Sequence, residues 1–186
     1  MDMCAKPQNK HTVVLGITGG IAAYKSCELV RLLTKKDIDV WVMMTKNAGE
    51  FVSKLTLQTL SKHPVSTDLF DLTQEQEIGH ISLADSADVI IIAPATANTI
   101  AKAACGIADD VITTTLLASK ANVFFAPSMN VNMYEHKATQ ENLSKLKDLG
   151  YHLIAPEAGE LACGWEGMGR MAEPQTITEH VLKSLK

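Results

Sequence analysis

The stretch Asp88–Ala93 (DVIIIA), followed at once by Pro94, constrains this chain more than any other. Its three consecutive isoleucines leave no polar face, so a strand here must be covered on both sides. Similar runs recur at Thr12–Ile17 (TVVLGI), Ile38–Thr45 (IDVWVMMT), Asn122–Ala126 (NVFFA) and Tyr151–Ala155 (YHLIA). Helical patterns fall between them: one opening at Gly19-Gly20, one from Asn47 to Ser61, then Ile78–Ser86, Asn98–Ala104, Asp109–Ser119 and Thr139–Leu149. A last helix spans about Pro174–Leu185. Strands alternating with helices predict an α/β fold, a doubly wound, Rossmann-like parallel sheet with helices on both faces.

The local expectations are specific. In the first helix, Ile21, Tyr24, Leu29, Leu32 and Leu33 are placed on the inner face and Lys25, Glu28, Arg31 and Lys35 on the outer one. Asn47 is expected to cap the second helix, with Glu50 as its capping-box partner. Val65–Glu77 reads as irregular apart from a short strand. Pro94 and Pro127 are expected to end their strands, and Gly150 to follow a helix C-terminus. Cys27 and Cys105 read as packing residues. The histidines at 11, 63, 136, 152 and 180 show no partner pattern and read as surface residues. The glycine-rich segment Glu157–Met171 reads as a mobile flap, since glycine weakens helix and strand interiors.

Length and composition bound the function. A chain of 186 residues suits one domain. We expect residues 12–186 to form it, after a disordered stretch at 1–11. The formal net charge of -4 argues against nucleic acid or an anionic membrane as the main partner. No apolar run approaches the ~20 residues of a membrane span. The start, MDMCAKPQNKH, has no apolar segment of the secretory kind. Four cysteines without CxxC spacing suggest free thiols, a cytoplasmic protein and no metal site.

In a doubly wound sheet, ligands bind beyond the carboxyl ends of the strands. Those ends here are Thr18-Gly19-Gly20, Thr45-Lys46-Asn47, Pro94–Asn98 and Pro127–Asn132. A Walker A loop would need a second glycine where Tyr24 stands. A dinucleotide fingerprint would need glycine in place of Thr18 and an acidic residue at the end of the second strand; Asp37 and Asp39 flank its beginning. A mononucleotide whose phosphate meets Gly19, Gly20 and the Thr45 hydroxyl fits better. At Pro94-Ala-Thr-Ala-Asn98, small side chains would admit a flat ring, although Thr96 and Asn98 also suit a helix cap.

Four motifs in this order resemble the homo-oligomeric flavin-containing cysteine decarboxylases: GITGGIAAYK (16–25), GHISLADSADVIIIAPATANTIAKAACGIADD (79–110), PSMNVNM (127–133) and GELACGWEGMGRMAEP (159–174). The resemblance covers about residues 12–186. Within the family it is strongest to the branch acting on 4'-phosphopantothenoylcysteine in coenzyme A biosynthesis. It implies a flavodoxin-like FMN site at Gly19, Gly20, Ile21, Thr45, Ala95, Thr96, Ala97 and Asn98. By the same resemblance His80 is the catalytic histidine and Cys163 serves the final reduction. Asn130 contacts the substrate carboxylate, with Met133, Ala162 and Gly164 near the substrate. The implied assembly is a trimer, or four trimers in a dodecamer, with the flavin site at a subunit boundary. Tyr134 and Trp165 depart from the family's usual Trp and Asp.

The chemistry suits such a set. Loss of CO2 needs an electron sink, which protein side chains do not supply. The resemblance implies oxidation of the substrate CH2–SH to a thioaldehyde, CO2 loss to an enethiol, and re-reduction to the thiol. A histidine with an ordinary pKa of about 6.5 works as acid or base for the first step. Three other readings differ in outcome: a lantibiotic-type peptidyl-cysteine decarboxylase that stops at the enethiol, a flavin prenyltransferase, and a non-catalytic regulatory FMN-binding protein.

Overall fold

The computed structural model describes residues 10–69, 79–160 and 166–186. Its strands are β1 (Thr12–Ile17), β2 (Asp39–Met44), β3 (Val65–Ser66), β4 (Val89–Ala95), β5 (Asn122–Pro127) and β6 (His152–Leu153). A hairpin follows, β7 (Glu157–Glu160) and β8 (Glu166–Arg170). The α-helices are α1 (Ala23–Thr34), α2 (Lys54–Ser61), α3 (Gly79–Ser86), α4 (Ala97–Cys105), α5 (Val111–Ala118), α6 (Val131–Glu135), α7 (Lys137–Asp148) and α8 (Pro174–Ser184). β1 to β6 form one parallel sheet in the order β3-β2-β1-β4-β5-β6. The order reverses between β1 and β4, which sets the switch point, and its crevice, at their carboxyl ends.

Strand alternation feeds two cores. Val13, Leu15 and Ile17 of β1 join Ile91 of β4 against Leu29, Val30 and Leu33 of α1 and Ile177 and Val181 of α8. Val14, Ile90 and Ile92 face the other way, with Ile100, Ile112, Leu116, Leu143 and Leu146. The isoleucines of β4 are fully buried. Each such side chain stabilises the fold by about 1.5–3 kcal/mol relative to exposure.

Several local expectations need correction. Ile21 and Tyr24 are 57% and 59% exposed, whereas Ala23, Ser26 and Val30 pack inward with Leu29 and Leu33. Small residues let α1 approach β4 closely enough for the Ser26 hydroxyl to donate to the Ala93 carbonyl at 2.7 Å. Lys25, placed on the outer face, is nearly buried. Thr45 rather than Asn47 caps the turn after β2, a short 3-10 helix at Lys46–Glu50; Ser53 caps α2. Pro94 does not end β4, which continues to Ala95 through a register shift against β5. Cys105 is exposed. His63 has partners: its Nε2 lies 2.6 Å from Asp39 Oδ1 and its ring stacks on Trp41.

The segment after Pro156 holds an antiparallel hairpin where a flap without strands was expected. Its glycines permit close docking. Gly169 has φ +143°, and a Cβ there would strike the carbonyl oxygen of Met129. The bare backbone instead lets the Met129 N–H donate to the Gly169 carbonyl at 3.0 Å. Gly167 likewise lies against Val131, where a Cβ would come within 2.7 Å of Cγ2.

Candidate functional site

The switch-point rim is stitched by a chain of hydrogen bonds. The Thr18 hydroxyl donates to the Pro94 carbonyl at 2.7 Å and accepts from the Thr96 N–H at 3.1 Å. The Ser128 N–H donates to the Ala95 carbonyl at 3.0 Å. With the Met129–Gly169 bond, this joins the ends of β1, β4, β5 and β8 into one edge. Thr18 is a residue that motif reading passes over, since it merely breaks a dinucleotide fingerprint. Its signal was a hydroxyl directly after a buried strand, where both its oxygen and its proton need partners.

Of the proposed flavin residues, Gly19, Gly20 and Ile21 lie in the turn between β1 and α1. A Cβ on Gly19 would fall 2.5 Å from Asn47 Cβ, so only glycine lets this turn lie against the one after β2. A Cβ on Gly20 would meet only the Thr96 methyl, at an ordinary contact distance of 3.8 Å, so the turn lies directly beside the β4 end. Thr45 accepts from the Ala48 N–H at 3.3 Å, which leaves its hydroxyl proton for a ligand. Ala95 is buried, Thr96 and Ala97 are half-buried, and Asn98 is exposed. The Thr96 oxygen caps α4 by accepting from the Thr99 N–H at 3.4 Å. An open cleft of about 470 Å³ continues from Thr45 past Lys46 and Lys54 to Thr67 and Asp68. Small side chains, exposed backbone and the amino ends of α1 and α4 suit a flat ring carrying an anionic phosphate.

The substrate-side residues are partly placed. Asn130 is the N-cap of α6, its Oδ1 accepting from the Asn132 N–H at 2.9 Å. Met133 is exposed. His80 is the second residue of α3. Ala162, Cys163 and Gly164 lie outside the described residues, within the connection between β7 and β8. Asp37 and Asp39 stand at the amino end of β2, away from this rim. Among the described residues, no cluster of His, Cys, Asp and Glu could hold a metal ion, and no helix is long and apolar enough to cross a membrane.

At the hairpin base, Glu173 Oε1 accepts from Lys25 Nζ at 2.8 Å and Arg170 Nη2 at 2.7 Å. The Lys25 hydrogen bond, with lesser help from Arg170, holds the Glu173 carboxyl below the ordinary carboxylate range. It is therefore charged at neutral pH. The pair's contribution is present above that range and fades as pH falls through the lowered value.

A doubly wound sheet with a small-residue crevice at its switch point defines a nucleotide-binding α/β protein. The chain matches the family described as "Flavoprotein" over residues 4–186, and it belongs to that family. It is 52% identical over 171 residues to the coenzyme A biosynthesis bifunctional protein CoaBC of Bacillus subtilis (strain 168). That match covers 92% of this chain and 42% of the relative, so the chain spans less than half the length of that relative. Among solved structures, it is similar to a mutant PPC decarboxylase complexed with pantothenoylaminoethenethiol. Identity is 33% and the TM-score 0.85, over 94% of this chain and 98% of the other. It is also similar to the FMN binding protein AtHal3, at 33% identity and a TM-score of 0.79, over 96% and 99% of the two chains.

Proposed function

We propose that this chain is an FMN-dependent decarboxylase that converts 4'-phosphopantothenoylcysteine to 4'-phosphopantetheine. The observation that carries the reading is the stitched rim at the switch point, which brings the TGG turn, the Pro94–Asn98 strand end and the PSMN loop to one edge. The relatives support it: a coenzyme A biosynthesis protein at 52% identity and a PPC decarboxylase sharing the fold.

In this reading Gly19, Gly20, Ile21 and Thr45 hold the FMN phosphate, and Ala95–Asn98 lie against the ring. Bound FMN supplies the two-electron oxidant and the matching reductant. His80 moves the proton that leaves the substrate during oxidation. Asn130 orients the substrate carboxylate; a neutral amide does so without the ground-state stabilisation an arginine would give to a charge about to be lost. Cys163 gives a proton to the enethiolate during re-reduction. Met133, Ala162 and Gly164 complete the substrate side.

We place the enzyme in a homo-oligomer, a trimer or four trimers in a dodecamer. Ile21 and Tyr24, exposed beside the flavin turn, offer apolar surface for a neighbouring copy. Light scattering with flavin release tests both claims. We expect about one FMN per chain, freed by denaturation, on a particle of three or twelve chains. FAD, NAD, or an active monomer would contradict the reading.

A further inference from the structure

We propose that Glu173 is a latch that holds the glycine hairpin to α1, and so acts as a positioning residue for the decarboxylation proposed above, on which this inference rests. Four charged side chains from different elements meet at one point. Lys25 comes from the first turn of α1, Arg170 from the end of β8, Glu157 from the start of β7, and Glu173 from the N-cap of α8. An N-cap carboxylate ordinarily turns back onto its own helix. That of Glu173 makes no such bond; its Oε1 takes Lys25 and Arg170 instead. Its N–H donates to Glu157 Oε1 at 3.2 Å, which closes the hairpin base.

Exposed ion pairs contribute little to stability. This one differs because the Lys25 side chain is only 11% exposed. Without Glu173 its ammonium would sit largely out of water with its carboxylate gone. The connectivity gives the latch a functional meaning. Lys25 lies in the helix that follows the Gly19-Gly20 turn, while β8 holds Met129 beside Asn130 through Gly169. One cluster thus ties the proposed flavin turn to the hairpin that carries Ala162, Cys163 and Gly164.

The test uses the full FMN-loaded chain, the single variants Glu173→Ala, Glu173→Gln and Lys25→Met, and the double variant that joins Glu173→Ala with Lys25→Met. Hydrogen–deuterium exchange is read over residues 157–170, and kinetics with 4'-phosphopantothenoylcysteine are run in parallel. Glu173→Ala is expected to speed hairpin exchange and to raise KM by about tenfold or more, with kcat falling less and FMN content retained. Glu173→Gln, which keeps an acceptor, should recover part of the loss. Combining Glu173→Ala with Lys25→Met should add little to the larger single effect. Unchanged hairpin exchange, or faster exchange confined to α8, would overturn the latch and leave a plain helix staple. Exchange needs no turnover. A wild-type chain inert toward the substrate would sink the functional reading while the exchange result still decides the latch.

Discussion

His80→Asn is expected to lower turnover by about 10²–10⁴-fold, the range of a general acid–base contribution. Asparagine keeps polarity and approximate size but cannot exchange a proton near neutral pH. Because the residue is the second of α3 and asparagine is tolerated in a helix's first turn, the variant should keep its circular dichroism and its flavin. The block should fall before CO2 release, so neither CO2 nor oxidised product accumulates in a single turnover. Turnover near that of the wild type would return His80 to a structural role on α3.

Cys163→Ser should divide the reaction differently. The substitution keeps the size of the side chain but removes an acid with an ordinary pKa of about 8.5, leaving a far weaker hydroxyl. Oxidation and CO2 loss should then proceed once per bound FMN, and the enethiol should accumulate, lighter than 4'-phosphopantetheine by two hydrogens. Mass spectrometry of a quenched single turnover reads this directly. Saturated product at the normal rate would remove Cys163 from the chemistry. No CO2 at all would move it to an earlier step.

The architecture was legible because the strands are covered on both faces. A run such as Val89–Ile92 can sit nowhere else, and the alternation with helices then dictates a parallel sheet. Three features were hidden, each for a physical reason. The inner face of α1 is built partly from Ala23 and Ser26, whose small size matters more than hydropathy, so hydrophobic periodicity points Ile21 and Tyr24 inward while the fold leaves them exposed. The hairpin was obscured by glycines that ordinarily weaken a strand; here Gly167 and Gly169 are needed for contact with Val131 and Met129. The burial of Lys25 depends on Glu173, which lies 148 positions away and leaves no periodic trace. The rim's position was legible, because proline, glycine and hydroxyl residues cluster where strands end. The bond from Thr18 to Pro94 was not, since it links residues 76 apart.

The most direct measurement is the fate of 4'-phosphopantothenoylcysteine incubated with the purified, FMN-loaded chain, followed by mass spectrometry. The expected result is catalytic conversion to 4'-phosphopantetheine, with one CO2 released per product and no external reductant consumed. Substrate returned unchanged would contradict it, as would an enethiol end product from the wild-type chain or turnover limited to cysteine-terminated peptides.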